Sequence, residues 1–184
     1  MTTIYFIRHA TPQLTGVEIP YDQLPGPSLS RRGEREANQL SAFVKQSAIV
    51  KLYYSPFLRT KQTAFIIGTI AQIPSVEETV LAEWAKGESE SSVVARLSAF
   101  LQICILESTE LGPIGIVTHG GLIKVFLKMF NIEGPLLHKH LLRFDPNSPL
   151  PPAGVWMAEI YDHSSPTKLQ LVYVPESESN ERNE

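Results

Sequence analysis

Ile114-Gly115-Ile116-Val117-Thr118-His119-Gly120-Gly121 begins as a short apolar strand and ends on a histidine and two glycines, after which Leu122 to Phe130 continues as an apolar helix. A strand that turns directly into a helix is the repeating unit of an α/β fold, and the same unit recurs on both sides of this stretch. Upstream, residues 3–8 are β-branched or aromatic and run into Arg8-His9, then into a Pro- and Gly-punctuated loop over 10–29. Ser30 is placed to cap a helix through Ser47, with Ala37, Leu40, Phe43 and Val44 on one face. Leu52-Tyr53-Tyr54 reads as a strand, and Ser55-Pro56 as the N-cap and first residue of a helix from Phe57 to about Gln72, with Arg59 in its first turn. Thr79 to Glu83 reads as a third strand, and residues 90–108 as an amphipathic helix carrying Val93, Val94, Leu97, Phe100, Leu101 and Cys104. Downstream, Val155 to Tyr161 and Leu169 to Val174 read as two further strands behind a Pro-rich connection.

Strands alternating with helices predict a three-layer α/β/α domain, a mostly parallel central sheet with helices on both faces. A chain of 184 residues suits one such domain over 1–174, and the acidic tail 175–184 has no apolar anchor and is expected to be disordered. The net charge of −3 is spread without a basic run, so no nucleic-acid partner is expected. No apolar run reaches the roughly 18 residues of a membrane span. Met1 leads straight into the first strand with no leader pattern, which points to the cytoplasm. Cys104, the single cysteine, sits among aliphatic residues and reads as a buried structural thiol.

In open sheets of this kind ligands gather at the carboxyl ends of the strands. His9, Glu83 and His119 fall there, and Arg59 lies a few residues past another strand. These residue types suit phosphoryl transfer without a metal or other cofactor. Arg8 and Arg59 each offer a planar, permanently charged fork to phosphate oxygens. A neutral imidazole is a good nucleophile near neutral pH, and Arg8 beside His9 favours its neutral form. His119, at a strand-to-helix turn, suits a phosphate ligand. Glu83, next to Trp84, suits a proton donor with a raised pKa, with Glu78 and Glu88 as alternatives if the register differs.

These residues resemble the histidine phosphatase superfamily, also called the phosphoglycerate mutase-like family. Ile7-Arg8-His9-Ala10-Thr11 is similar to its Arg-His-Gly signature, and Leu29-Ser30-Arg31-Arg32-Gly33 to its Leu-Ser-x-x-Gly element. Ser55-Pro56-Phe57-Leu58-Arg59 through Gln62-Thr63-Ala64 resembles its Ser-Pro-x-x-Arg-x-x-Gln-Thr-Ala block. Leu81-Ala82-Glu83 with Gly87-Glu88 resembles the acid-bearing segment, and Val117 to Gly121 the Ser/Thr-His-Gly-Gly block. The resemblance implies that His9 is phosphorylated, that Arg8, Arg59 and His119 surround the phosphate, and that Glu83 donates the proton. Two positions depart from the pattern. Ala10 stands where the family has glycine, and Thr15 where many members have a phosphate-contacting asparagine, so Thr15 is carried over as a phosphate ligand through its hydroxyl. Mutases of the family carry a long insertion between acid and second histidine, whereas only 35 residues separate Glu83 from His119 here. The expectation is therefore a metal-independent phosphomonoesterase acting on a phosphorylated small molecule.

The alternatives are a protein phosphohistidine phosphatase, a phosphoglycerate-type mutase, and a non-catalytic module that binds a phosphorylated ligand. His138 and His140 are two apart and poorly placed for a metal, and Arg31, Arg32 and Arg35 read as an exposed helix start. Tyr21, Leu24, Leu150 and Trp156 suggest a partly apolar rim, and neither the leaving group nor the oligomeric state follows from the sequence.

Overall fold

The computed structural model describes residues 2–15, 18–130, 135–162 and 165–176. The elements run β1 (Thr2–Arg8), α1 (Arg31–Gln46), β2 (Lys51–Tyr54), α2 (Leu58–Ala71), β3 (Ser75–Glu77), α3 (Glu90–Leu111), β4 (Ile114–Thr118), α4 (Gly120–Met129), α5 (Pro135–Arg143), β5 (Val155–Asp162) and β6 (Ser165–Tyr173), with a short 3-10 turn at Thr79–Leu81. The six strands form one sheet in the order β3-β2-β4-β1-β5-β6. β3, β2, β4 and β1 are mutually parallel, β5 runs antiparallel to β1, and β6 antiparallel to β5. The sheet is mixed, with a single reversed strand.

β1 shows how the sequence dictates the layers. Side chains alternate between faces along a strand. Ile4 and Phe6 enter one apolar cluster with Leu97, Phe100 and Cys104 of α3 and Phe126 of α4, while Tyr5 and Ile7 enter the other with Ala37 and Leu40 of α1 and Ile67 of α2. A strand apolar on both faces has to lie inside a three-layer sandwich. Truncating Phe6, which is buried and stacked 4.7 Å from Phe126, removes about 3–5 kcal/mol of folding free energy.

The helix ends follow local chemistry. Ser30 Oγ accepts from Gly33 N at 3.0 Å and starts α1, and Ser89 Oγ accepts from Ser92 N at 3.2 Å and starts α3. α2 departs from expectation. Its cap position is Phe57, without a side-chain hydrogen bond, while the Ser55 hydroxyl lies 2.8 Å from His119 Nε2 and accepts from Phe57 N at 3.4 Å.

Other expectations change as well. The third strand is Ser75–Glu77, paired with β2, and Thr79–Leu81 is a turn in which Leu81 N bonds Glu78 O and the buried Leu81 side chain drops into the core. α5 was not foreseen. α3, 22 residues long, holds an 18-residue window with a mean hydropathy of 1.3, enough by length and composition alone to cross a membrane, a test that core helices pass as well. It packs on the sheet through Val93, Leu97, Leu101 and Ile105, and its Ser108 hydroxyl donates to Thr3 O at 3.1 Å and accepts from Thr3 N at 3.2 Å. Leu150 and Trp156, expected at the rim, are core residues. Of the tail expected over 175–184, all but the first two residues lie outside the described residues.

The reversed strand decides what reaches the site. The carboxyl ends of β1, β2 and β4 share one rim, and because β5 is antiparallel its amino end, Val155 opposite Ile7, lies on that rim too. Residues 145–154 therefore arrive beside Arg8 and His9.

Candidate active site

His9 follows β1 directly, its N–H donating to Thr118 O at 3.0 Å. Its ring Nδ1 lies 2.8 Å from Ala10 O. A carbonyl only accepts, so Nδ1 carries the proton and Nε2 keeps its lone pair. Nε2 lies 3.4 Å from the Tyr21 hydroxyl. Burial, then the Arg59 charge and, more weakly, that of Arg8, push the imidazole well below the usual histidine range against the opposing Ala10 contact, so His9 is neutral at pH 7. The Ala10 methyl, which stands where the family has glycine, packs in the apolar cluster with Leu40 and Ala64.

His119 is the cap residue of α4, and its ring sits 5.4 Å from that of His9. Its Nε2 is 2.8 Å from Ser55 Oγ, and its Nδ1 is 3.1 Å from Arg59 Nη2 and 3.3 Å from Glu83 Oε2. Burial first, then His9 and the arginines, push it well below the usual range too. A phosphate dianion among these groups would oppose the cationic field and favour the protonated ring.

Arg59 opens α2 with 0% exposure. Nη1 donates to Tyr21 O at 3.0 Å, and the guanidinium lies 4.1 Å from the Tyr21 ring centroid and 4.6 Å from that of Phe57. Arg8 Nη1 donates to Leu150 O at 2.8 Å, and Nη2 lies 3.6 Å from Asp145 Oδ2. The Nε–H of each arginine is buried without a partner among the described residues. Two buried cationic donors of this kind call for an anion.

Glu83 follows the 3-10 turn rather than a strand, yet reaches the same place. Oε1 accepts from Trp84 N at 3.1 Å, and Oε2 is 3.7 Å from Arg59 Nη2. Burial raises its pKa above the usual carboxylate value despite that hydrogen bond and the arginines. Glu88 is spent elsewhere, pairing with Arg96 at 2.8 and 3.0 Å. Arg96 also donates to Val80 O and, at 3.1 Å, to Ala82 O, so it pins the segment that carries Glu83. Glu78 bonds Tyr54 O through its backbone and does not line the cavity described next.

A cavity of about 680 Å³ opens here, with Arg8, Thr11, Tyr21, Glu83, Gly121 and Asp145 among its walls. His9 and His119, at 1% and 0% exposure, lie beneath this surface with Arg59. Five of the six expected site residues are thus together. Thr15 is not: it is exposed, Gln13 Nε2 donates to its carbonyl at 2.8 Å, and it does not line the cavity. Tyr21, expected as part of an apolar rim, does line the cavity, whereas Ser55 and Asp145 were missed. Only Ser55 carried a signal, its place in the Ser-Pro block. His138 is exposed, the His140 ring packs 4.9 Å from Trp156, and the described residues contain no group of three or more His, Cys, Asp or Glu able to hold a metal.

The histidine phosphatase superfamily (branch 1) model matches residues 4–90, the part that carries His9, Arg59 and Glu83. The match takes in 87 of the 184 residues, so the chain is similar to this superfamily over its amino-terminal part. No curated protein matches it significantly. Among solved structures it is similar to a mycobacterial glucosyl-3-phosphoglycerate phosphatase, at 17% identity over 96% of this chain and 100% of the other with a TM-score of 0.72. It is also similar to a putative α-ribazole-5'-P phosphatase of Escherichia coli, at 14% identity over 96% and 98% with a TM-score of 0.69. A phosphoglycerate mutase of Bacillus anthracis matches at 14% identity over 94% and 92% with a TM-score of 0.71. At such identities the likeness is one of fold, shared by the superfamily's phosphatases and mutases alike.

Proposed function

We propose that the chain is a metal-independent phosphomonoesterase that hydrolyses the phosphate ester of a small molecule through a phosphohistidine on His9. The observation that carries this reading is the His9 tautomer. Nδ1–H is spent on Ala10 O, so Nε2 keeps its lone pair free of a proton, in a ring that feels the charges of Arg59 and Arg8.

In the first step Nε2 forms the bond to phosphorus while the phosphorus–oxygen bond to the leaving group breaks, and Glu83 hands its proton to the departing alkoxide. Charge on the equatorial oxygens is met by Arg8, Arg59 and His119. In the second step Glu83 takes a proton from water, the water oxygen bonds phosphorus, and the electron pair of the broken N–P bond returns to Nε2. A proton donor beside the leaving oxygen is what an alkoxide requires, and the raised pKa of Glu83 suits it. The cavity volume of about 680 Å³ suits a small molecule. Hydrolysis is favoured over transfer because most of the segment from Glu83 to His119 is spent on α3, packed against the sheet.

Phosphate release from a panel of phosphomonoesters and one phosphohistidine peptide, in EDTA, tests this reading. Ester turnover is expected, with loss of activity in His9→Ala and an acid-labile phosphoenzyme in the native protein. Activity confined to the peptide, or activity surviving in His9→Ala, would overturn it.

A further inference from the structure

Tyr21 occupies a position that the two-step reaction leaves unused. Its hydroxyl stands 3.4 Å from His9 Nε2, its ring covers the Arg59 guanidinium at 4.1 Å, and its carbonyl accepts from Arg59 Nη1 at 3.0 Å. Its segment is held close. Leu58 N donates to Pro25 O at 2.8 Å, and Gly26, at φ +69°, passes so near Arg59 that an added Cβ would lie 2.8 Å from Nη1. Tyr21 is 38% exposed and forms part of the cavity wall, whereas His9 and Arg59 lie behind it.

We infer that the Tyr21 hydroxyl is a ligand of the transferring phosphoryl group, donating first to the lone pair of His9 Nε2 and then to a phosphoryl oxygen. This rests on the reading of His9 as nucleophile. Nε2 without a proton accepts, so the phenol donates to it. A phosphorus atom approaching along that lone pair enters the space now held by the hydroxyl, and the phenol shifts outward to meet an equatorial oxygen. One hydrogen bond is exchanged for another, from O–H···N to O–H···O–P. Burial holds the phenol above its usual pKa despite the opposing Arg59 charge, so it keeps the proton it donates. The ring pivots over Arg59 as the hydroxyl swings outward, and its contact keeps that fork aimed at the same phosphoryl group. Tyr21 is thus both cover and catalytic donor, set on a loop rather than at a strand end.

The test compares Tyr21→Phe, which keeps the ring over Arg59, with Tyr21→Leu, which removes it. Orthovanadate, a five-coordinate mimic of the transferring phosphoryl, is titrated calorimetrically alongside orthophosphate. Tyr21→Phe is expected to melt like the native protein, to bind vanadate ~10-fold or more weakly with a smaller change for phosphate, and to lose ~10- to 100-fold in kcat. Tyr21→Leu is expected to weaken both anions and raise KM. Native vanadate affinity and native kcat in Tyr21→Phe overturn the inference while leaving the phosphohistidine reading intact. A native protein that neither binds vanadate nor hydrolyses any ester overturns that underlying reading instead.

Discussion

Glu36 of α1 grips Thr11, two residues beyond His9, with both carboxylate oxygens: Thr11 N donates to Oε2 at 2.8 Å and Thr11 Oγ1 to Oε1 at 2.9 Å. Arg32 Nε donates to the same Oε1 at 2.8 Å. Ser30 N and Ser30 Oγ each donate to Thr11 O at 3.0 Å, so the strand-to-loop exit is clamped from one helix start. Glu36→Ala strands the Thr11 donors and is expected to cost about 1–3 kcal/mol, read as a lower urea midpoint, and to lower kcat/KM because the residues after His9 lose their anchor.

Gly33 tightens the same clamp. A Cβ there would lie 2.1 Å from Thr11 O, a contact that forces the backbone apart. Gly33→Ala is expected to destabilise by about 1–3 kcal/mol in thermal melts and to reduce phosphate release, with Gly87→Ala as a control whose Cβ meets nothing within 4 Å but whose φ is +86°.

The pH profile follows from two shifts of opposite sign. His9 has to be neutral, and its lowered pKa puts the acid limb of kcat/KM well below the ordinary histidine value of 6.5. Glu83 has to be protonated in the first step, and its raised pKa puts the alkaline limb above 4.5. A profile with its maximum on the acid side of neutrality is expected. In Glu83→Gln an alkyl phosphate is expected to lose ~100-fold or more and p-nitrophenyl phosphate much less, since nitrophenolate leaves without a proton.

Stability should track the histidines in the other direction. The folded pKa values of His9 and His119 lie below the unfolded value, so the unfolded chain binds the extra protons and stability falls as the pH drops through 6.5 toward the folded values. Two such groups give a slope of up to about 2.7 kcal/mol per pH unit, and His119→Gln should roughly halve it in urea titrations between pH 5 and pH 7.

Asp145 competes for Arg8 across 3.6 Å with its side chain 38% exposed. Asp145→Asn is expected to tighten orthophosphate binding ~2- to 5-fold in dilute buffer and to lose that advantage as salt is added.

The rim residues His9 and His119 were legible because each ends an apolar strand with a polar side chain that has no place in the core. Glu83 was found although its element was misread: Leu81 is buried by a turn, and apolar spacing alone does not separate a turn from a short strand. Thr15 was carried over from the family pattern and lies at an exposed bend that does not line the cavity, and no periodicity marks a bend. Asp145 and Tyr21 come from irregular segments whose neighbours are set by distant parts of the chain. The Tyr21 position depends on Arg59, 38 residues away, and Arg8 meets Leu150 across 142.

The reversed β5 strand has a consequence in time. The four mutually parallel strands and both site histidines precede it, so a nascent chain can lay down the hydrolytic half of the sheet while residues 145–162 are still inside the ribosome. Arg8 has no Leu150 carbonyl to hold it until that last loop closes, and contacts of such long range form late. Activity should therefore switch on abruptly with the emergence of β5 rather than grow with chain length, and a polypeptide released early would be an inert protein with its nucleophile already in place.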